Sequence, residues 1–533
     1  MPPVRSARML ASLKQSPPAG RSRTGKGGDL ERKERVGHRP KAMAAPQAPA
    51  VIPAHDFATR PYEPLVGDTI DVLIESALEL LAESGVAFEV GSAAVHYLRA
   101  GGCEISADGV VRMDRALVRS ALASTAKSVR LWNRPGDRYI EIDCHHTWFM
   151  PGMTCIKVYD LETGEPRNST AADLAAITRL SDALPNIDGV CIACKNVERA
   201  DIHGEVEEFS IMAANTTKPL EYLCEHPASL EVVIEMAAAI RGGALQLREK
   251  PYFLQLVTPM PLNYHAAHSD QIIAAALAGV PVSVGTLPIG GASTPITTAG
   301  CMVNSLATDF AAMVLAQLVV PGAFCIGSSD VCFMEPATGG IGNVAQTALA
   351  DMVMCQVRRR LGLPSFTGAV GYSSARRFNQ DAVAEISFGL MQAFYSRPAT
   401  LDYLGSLDQG LTFSLHALVL GDDIAGLLRT LWEGVQIDAD TLALSLAKEV
   451  GPRGNYLAHR HTVSHCREKL WPSRYFGARL PLSSDDRPDQ DLVERIDADM
   501  RAMLANHVPQ PLEPTVARAL ADIRERFLAS YKD

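Results

Sequence analysis

Residues 281–300 read PVSVGTLPIGGASTPITTAG, and this stretch decides how the rest of the chain is interpreted. Val282, Ser283 and Val284 form a short β-branched run entered through a proline, which is typical of a buried parallel strand. Glycines and small hydroxyl residues follow, and an apolar helical pattern resumes at about residue 299. Because glycine removes side-chain bulk, such a loop lets backbone amides approach a ligand closely. The stretch therefore predicts a strand and a helix, joined either by an ordinary turn or by a ligand-contacting loop.

The same order of an apolar run and a helical pattern recurs seven or eight times across about 270 residues. Examples of the apolar runs are GVCIACKN (189–196), YFLQLVTPMP (252–261) and GAFCIGSS (322–329). Regular alternation of strand and helix predicts an α/β protein with a parallel sheet. Eight such units in this length fit a (β/α)8 barrel of the TIM type better than an open doubly wound sheet.

The segments that flank the repeats have a different character. Residues 1–55 contain turn formers and charge but no apolar period, so this basic tail is predicted to be disordered; the alternative is that translation starts near Met43. Helical patterns at 69–84, 92–100 and 114–126 surround a hairpin signal at Asp108-Gly109. The predicted organisation is a tail at 1–55, an N-terminal α+β cap and β-rich lead-in at 56–165, the barrel at 166–437 and a helical C-terminal extension at 438–533.

Composition and charge argue against several classes of protein. The net charge is −10, but residues 1–42 hold eleven Lys/Arg against three Asp/Glu, so the remainder carries −18. An acidic body argues against a nucleic-acid partner. No run approaches the roughly 18 uninterrupted apolar residues of a membrane span, and the amino terminus lacks the apolar core of a secretory signal. We therefore expect a cytoplasmic protein without a membrane partner.

The cysteine pattern agrees with that location. Eleven cysteines are scattered along the chain, which is typical of thiols that stay reduced. The single CxxC, Cys191 to Cys194, lies in an apolar run, and no second CxxC follows that would complete a zinc site. Both cysteines are predicted to be buried and structural.

Small and polar residues stand where the predicted strands end, which is the face where barrel active sites form. Glu225 and His226 follow one strand and Tyr372 follows another, so a carboxylate, an imidazole and a phenol join glycines and hydroxyl residues. A barrel end (the mouth of the barrel) lined by such residues suits an organic ligand better than a metal. The spacing of His459, His461 and His465 would permit a metal cluster, but no HExxH or Cys-rich signature accompanies it. Structural or ligand-facing histidines are favoured, and no resident metal is predicted.

Three long stretches resemble the trimethylamine methyltransferase family. They are PYFLQLVTPMPLNYHAAH (251–268), residues 275–329, and EVGPRGNYLAHRHTVSHCREKLWPSRYF (449–476). Weaker agreement covers nearly everything after the tail. The resemblance implies a (β/α)8 barrel, in agreement with the alternation of strands and helices. It also implies an enzyme that passes a methyl group from a methylated amine to the Co(I) corrinoid (cobalamin) of a separate corrinoid protein.

The family has two branches, of which one uses pyrrolysine and the other acts on quaternary amines such as glycine betaine or proline betaine. Here the strand end where pyrrolysine is expected reads FTGAVGYSSARR (366–377), all standard residues, so the resemblance implies the second branch. A quaternary ammonium already makes the amine a leaving group. The implied chemistry therefore needs an enzyme that orients the substrate and balances its charge, without a metal or general base of the enzyme's own.

The resemblance also implies roles for residues at the mouth. A cation would be held by acidic or aromatic groups, with Tyr264 among the candidates, and a betaine carboxylate would face His226 or His459. The expected substrate-binding residues are Glu225, His226, Thr258, Thr286, Ser293, Phe333, Tyr372 and His459, and those expected to face the corrinoid are Gly285, Gly290, Gly371 and Ser373. No catalytic residue is assigned.

One loop departs from the family pattern. Family members commonly continue after the GAVG strand with a DxKxPDxQAG-like segment, whereas residues 373–387 read SSARRFNQDAVAEIS, with two arginines and a displaced acid. Two alternatives therefore stay open: a barrel methyltransferase with a pterin or thiol acceptor, and a betaine-binding protein without turnover. A homo-oligomer is expected only because large barrels often form one.

Overall fold

The computed structural model describes residues 50–51, 59–341, 345–367, 371–466, 470–476 and 491–530. The prediction of a disordered tail falls mostly outside this part of the chain. Within it, the backbone of Ala50–Val51 pairs in parallel with residues 138–139, so these two residues form a strand where disorder was predicted.

Eight parallel strands form the centre of the fold. They are β1 Trp148–Pro151, β2 Val190–Cys191, β3 Leu220–Tyr222, β4 Phe253–Val257, β5 Val282–Val284, β6 Cys325–Gly327, β7 Phe366–Thr367 and β8 Thr400–Leu404. In the described residues, one ladder runs from β2 to β6 and another from β7 through β8 to β1. Nearly all of their residues are buried, as expected for strands covered on both faces.

A helix follows each strand. These helices are α1 Ala171–Ala183, α2 Ile202–Asn215, α3 Pro227–Arg241, α4 Ala266–Ala278, α5 Thr298–Val319, α6 Ala345–Arg360, α7 Gln380–Ser396 and α8 Leu415–Glu433. Thr170 begins α1 with a capping box in which its hydroxyl and the Asp173 carboxylate each bond the other residue's backbone N–H. The predicted (β/α)8 barrel is confirmed.

The first barrel strand lies earlier than the sequence indicated. The predicted barrel began at residue 166, yet β1 at 148–151 pairs with β8 and belongs to the ring of strands. All four residues of β1, WFMP, are buried. An uninterrupted apolar run is the mark of a central parallel strand, whereas the sequence analysis placed this region in the β-rich lead-in before the barrel.

The N-terminal cap contains the predicted elements. Its helices are Thr69–Glu83, Ala93–Ala100 and Arg115–Ser124, and the strands Val86–Phe88, Glu104–Ile105 and Val110–Arg112 form a sheet that Asn263–Tyr264 extends from the loop after β4. The cap packs mainly on α5, a helix of 22 residues with a mean hydropathy of 1.4. That helix is long and apolar enough to cross a membrane, but 78% of its apolar window is buried in protein, as in a core helix.

Short strands and further helices complete the molecule. The strands are Val129–Trp132, Arg138–Ile142, Lys157–Tyr159, Pro166–Asn168, Ile289–Gly290, Cys332–Phe333, Ser406–Leu407 and Thr412–Phe413. The helices are Ala244–Glu249, Leu444–Val450, Arg460–His465, Leu492–Asn506 and Pro514–Ser530. The last two pack on barrel helices, so the C-terminal extension is helical as predicted.

Two buried ion pairs lie where the ladders are interrupted. Between β1 and β2, Asp188 accepts from the backbone N of Phe149 at 2.8 Å and from Arg429 of α8. Between β6 and β7, Asp309 of α5 pairs with Arg358 of α6 at 3.0 Å, and Arg358 also donates to the carbonyl O of Phe366 at 3.0 Å. Each pair therefore connects a helix to a strand edge that, in the described residues, is not paired with a neighbouring strand.

We expect Arg358→Met to lower the free energy of unfolding by about 3–5 kcal/mol, because it leaves the buried Asp309 carboxylate without its partner. The matched control is Arg526→Met, which removes an ion pair with Glu235 whose side chains are 63% and 54% exposed. That control should cost at most about 1 kcal/mol. Denaturant unfolding followed by circular dichroism measures both values, and equal losses would contradict a structural role for the Asp309–Arg358 pair.

Candidate functional site

A cavity of about 420 Å³ opens at the carboxyl ends of the strands. Its polar lining residues are Thr154, Thr258, Thr286, Ser293, Ser328, Asp330, Asp402 and Tyr403, and its apolar ones include Leu223, Leu256, Met260, Leu287 and Phe366. A larger cavity of about 610 Å³ lies at the opposite end of the strands, next to Pro251, Pro281 and Phe324. Because barrel active sites form at the carboxyl ends, the smaller cavity is the candidate site.

A bulge in β8 aims two residues into this cavity. The β8–β1 register shifts between Leu401 and Leu404, and Tyr403 has a φ of 64°. Two glycines make room for this backbone: a Cβ on Gly152 would lie 1.8 Å from the Tyr403 Cα, and one on Gly371 would lie 2.4 Å from the Asp402 carbonyl O. Bulges commonly redirect side chains beside active sites, and here both Asp402 and Tyr403 line the cavity.

Three carboxyl groups lie close together at the site: Asp330 and Asp402 line the cavity, and Glu221 is buried beside Asp402. Glu221 of β3 is fully buried, and its carboxyl group contacts that of Asp402. Burial, reinforced by the charges of Asp402 and Asp330, holds the pKa of Glu221 well above its usual range. Burial and the charge of Asp330 raise the pKa of Asp402 to about 8. A cation that entered the cavity would relieve this repulsion.

Two tyrosines stand beside the acids. Tyr372 lines an adjoining cavity of about 240 Å³, which shares Leu287, Asp330 and Tyr403 with the first. The rings of Tyr372 and Tyr403 lie 6.1 Å apart between centroids. Burial raises the pKa of both phenols, so both stay neutral. Aromatic ring faces attract cations, so the tyrosines and carboxyls favour the same kind of ligand.

A buried hydrogen-bond network joins the cavity wall to the β6–β7 edge. The Thr286 Oγ1 lies 2.7 Å from the Ser329 Oγ, and Ser329 donates to Asp309, the partner of Arg358. A Cβ on Gly327 would lie 2.1 Å from the Asp309 carboxylate, so the glycine in β6 lets this acid reach across the strand. The wall of the site is therefore fixed by the same ion pair that connects α5 and α6.

Five of the residues predicted from sequence meet at the cavities. Gly285, Thr258, Thr286 and Ser293 line the first, and Tyr372 lines the second.

Other predicted substrate residues lie elsewhere. Glu225 and His226 are exposed and outside the lining; the His226 Nδ1 lies 2.9 Å from an oxygen of Glu205. His459 begins the helix Arg460–His465 and accepts from the His461 backbone N at 3.1 Å. Phe333 is buried against Gly290. These residues complete loops and helix starts, and the structure does not bring them to the acids.

Packing explains the residues that were expected to face a corrinoid. Gly285 lies against Ser328, Gly290 against the Phe333 ring and Gly371 against the β8 backbone, each too close for a Cβ without movement. Ser373 is fully buried, and its hydroxyl donates to Glu385 at 2.7 Å. In this conformation Ser373 presents no surface to a partner.

Three further sets of residues singled out from the sequence make only structural contacts. Cys191 and Cys194 are buried as predicted. Tyr264 stacks on Phe88 at 4.8 Å and donates to the Thr308 carbonyl O, inside the core. One ring nitrogen of His461, one of His465 and one carboxylate oxygen of Asp440 lie within 4.8 Å of one another. The His465 Nε2 lies 3.2 Å from a carboxylate oxygen of the exposed Asp440, and this contact accounts for the grouping.

The sequence interpretation missed Glu221, Asp402 and Asp330. Glu221 and Asp402 occur in the near-identical strings LEYL (220–223) and LDYL (401–404), each an acid inside an otherwise apolar strand. A carboxylate in a strand buried on both faces is costly, so this repeated pattern was the available signal of a functional site.

The fold and the site together define a (β/α)8 barrel protein with an acidic, aromatic cavity suited to a small organic cation. The chain belongs to the trimethylamine methyltransferase family, whose sequence model, Trimethylamine methyltransferase (MTTB), matches residues 31–530. This confirms the family predicted from sequence.

Individual relatives are distant but nearly full-length. The chain is 28% identical over 465 residues to trimethylamine methyltransferase MttB of Desulfitobacterium hafniense (strain DSM 10664 / DCB-2), covering 86% of this chain and 92% of that protein. It is 27% identical over 475 residues to glycine betaine methyltransferase of D. hafniense (strain Y51), covering 87% and 97%. The solved monomethylamine methyltransferase MtmB of Methanosarcina barkeri aligns with 88% of each chain, a TM-score of 0.48 and 11% identity.

The raised pKa of Asp402 predicts a pH-dependent stability. Between about pH 4 and pH 8 the group is protonated in the folded chain and ionised in the unfolded chain, so stability falls as pH rises through this window. Asp402→Asn cannot ionise, so its melting temperature relative to the wild type should be clearly higher at pH 8 than at pH 5. Thermal unfolding at both pH values measures this difference.

Asp438→Asn is the opposite-sign control. Hydrogen bonds from Thr441 lower the pKa of this half-exposed acid, so its loss should cost more at pH 8 than at pH 3. A pH-independent effect of Asp402→Asn would contradict a neutral, buried Asp402.

Proposed function

We propose that this protein is a methyltransferase that moves a methyl group from a cationic methylated amine to the corrinoid of a partner protein. The observation that carries the proposal is the cavity lined by Asp330, Asp402 and Tyr403, with Tyr372 in the adjoining cavity and Glu221 buried beside Asp402. Family membership supports the reaction, because relatives bear the names trimethylamine and glycine betaine methyltransferase.

The residues of the chain would act by binding and orientation. The carboxyls and tyrosine rings hold the ammonium group, and the apolar wall keeps water from the carbon–nitrogen bond that breaks. The bonding electron pair stays on nitrogen, which leaves as an amine with one methyl group fewer. A Co(I) corrinoid, when bound at the mouth, supplies the electron pair that takes the methyl group.

The rim of the cavity fits a partner that covers it. Met260, Leu287 and Leu411 line the two cavities, yet they are 55%, 48% and 47% exposed. A corrinoid is far larger than a 420 Å³ cavity, so it would lie over the opening with these side chains beneath it. An exposed apolar rim of this kind is typical of a surface that a partner protein covers.

The alternatives left open by the sequence are weaker. The named relatives are amine methyltransferases, which favours neither a pterin nor a thiol acceptor. The departing loop does not rebuild the site: Arg376 and Arg377 are exposed and pair with Asp408 and Glu165. A cytoplasmic location is also part of the proposal, supported by the burial of α5, the one described helix apolar enough to span a membrane.

The test is methyl transfer to free cob(I)alamin, followed by its absorbance, with trimethylamine, choline and glycine betaine as donors. At least one donor should form methylcobalamin. Asp330→Asn should lower kcat/KM for that donor by about 10–100-fold, because it removes a charged contact of the size of a charge-assisted hydrogen bond. Asp438→Asn, in the C-terminal extension, is the matched control. Absence of methylcobalamin with every donor, in a protein that binds one of them, would favour a binding protein without turnover.

A further inference from the structure

Residues 435–476, which follow α8, form an arm that is rich in exposed apolar residues. Of the 26 large apolar residues that are exposed in the described part of the chain, nine belong to this one segment. They are Val435, Ile437, Leu442, Leu444, Tyr456, Leu457, Val463, Leu470 and Phe476, and they are 40% to 84% exposed. Apolar residues scattered singly over a surface are ordinary, but a concentration of this kind marks a surface that another molecule covers.

We infer that the arm docks on a second copy of this chain and that the protein is therefore a homo-oligomer. The inference goes beyond the proposed function and does not depend on it, because the arm lies apart from the cavity. A second copy presents the same apolar arm and the same acidic body, and these are the two surfaces that the arm matches.

The arm has a defined shape despite its exposure. The His461 Nε2 lies 3.3 Å from the Asp440 backbone O, and the His465 Nε2 lies 3.2 Å from a carboxylate oxygen of Asp440. These contacts connect the start of the arm to its second short helix, Arg460–His465. A surface that is ordered before binding loses little conformational freedom on association, so more of its apolar area contributes to affinity.

The carboxyl-terminal end of the arm is anchored to the barrel. Arg474 pairs with the buried Asp422 of α8 at 2.6 Å, and Asp422 also accepts from the backbone N of Asn186 at 2.7 Å. Tyr475 is buried, and its hydroxyl donates to Asp499 at 2.9 Å. The arm therefore has its own attachment to the barrel, and its exposed apolar residues are not needed for that attachment.

The position of the arm separates it from the cavity. α8 begins after β8 and runs back along the barrel, and near its end the ring of Trp432 lies 6.0 Å from the ring of Phe149 in the first half of β1. Asn186, which the Arg474 anchor reaches through Asp422, precedes β2. The arm thus lies toward the amino ends of the strands, whereas the cavity opens at their carboxyl ends. A protein that covered the rim of the cavity would leave the arm uncovered.

The charge of the arm is opposite to that of the body. Residues 435–476 hold six Lys/Arg against four Asp/Glu, a balance of +2. Since residues 43–533 carry −18, the rest of that span carries −20. A second copy therefore offers the arm a surface of opposite sign. Residues 1–42 carry +8, the same sign as the arm, and are the poorer occupant.

The apolar area of the arm is sufficient for a stable interface. Nine large residues that are each at least 40% exposed offer on the order of 1,000 Å², compared with the roughly 800 Å² that each partner gives to a stable interface. In a two-fold dimer both copies use the same surface, so both arms are covered at once.

The first test is the mass of the full chain in solution, measured by sedimentation velocity at micromolar concentration. We expect a species of at least twice the mass of the single chain. A species of single-chain mass at that concentration would overturn the inference, whether or not the protein transfers methyl groups.

Variants test whether the arm forms the interface. Leu457→Glu and Val463→Glu replace residues that are 84% and 66% exposed, so the folded chain should tolerate them. Each should raise the Kd of association at least about tenfold, because association would bury an unpaired carboxylate. The matched control is Val90→Glu in the N-terminal cap, a valine that is 64% exposed and should leave the Kd unchanged. An unchanged Kd in both arm variants, or an equal rise in the control, would overturn the inference.

Cross-linking of the wild type decides the point should neither arm variant fold. Lys448 is exposed on the helix Leu444–Val450 of the arm. Isotopically light and heavy protein are mixed at a concentration low enough for exchange, concentrated again and treated with a carbodiimide, which joins amines to carboxylates. Mass spectrometry should find Lys448 of one copy joined to an acid of the other. Links from Lys448 that are confined to one copy would contradict docking of the arm on a second chain.

Discussion

Two buried aspartate–arginine pairs connect the interrupted ladders of the barrel. Asp188 and Arg429 lie between β1 and β2, and Asp309 and Arg358 lie between β6 and β7. Each aspartate reaches a strand directly: Asp188 through the Phe149 N–H, and Asp309 across Gly327. Charges buried this deeply are tolerated only when both partners and their remaining hydrogen bonds are present. The closure of the barrel and the position of the site wall therefore depend on the same groups, through Ser329 and Thr286.

The site itself is held in an arrangement that the fold alone would not favour. Glu221 and Asp402 are buried carboxyl groups in contact with each other, Tyr403 has a left-handed backbone, and Gly152 and Gly371 are needed beside it. Adjacent buried acids and backbone strain each oppose folding and persist where surrounding structure imposes them. The large apolar core and the two buried aspartate–arginine pairs supply that surrounding structure. Such a concentration of unfavourable features at one cavity is itself an argument that the cavity binds a ligand.

Sequence patterns predicted the barrel well because strand–helix alternation is a local signal. The capping residue Thr170, the helix bounds and the hairpin near Gly109 follow from short-range rules that the structure repeats. The strand β1 was assigned to the lead-in instead of the barrel, because an apolar run of four residues has no period that marks it as a central strand. Thr258, Thr286 and Tyr372 were found because they follow strands. Glu221 and Asp402 were missed because their meeting depends on the closure of β8 onto β1 and on a bulge, neither of which leaves a local pattern.

The acids also bear on the charge balance of the proposed reaction. Methyl transfer from a quaternary ammonium removes a positive charge from the cavity and leaves a neutral amine, so any carboxylate ionised by the substrate loses its partner. Glu221 and Asp402 can then take up a proton, because burial has already raised their pKa values, that of Asp402 to about 8. An arginine or lysine in the lining would hold these acids ionised at every stage and remove that response. In the proposed reaction, a lining without a cationic side chain, as among the described residues, would let the acids both attract the substrate and release the product.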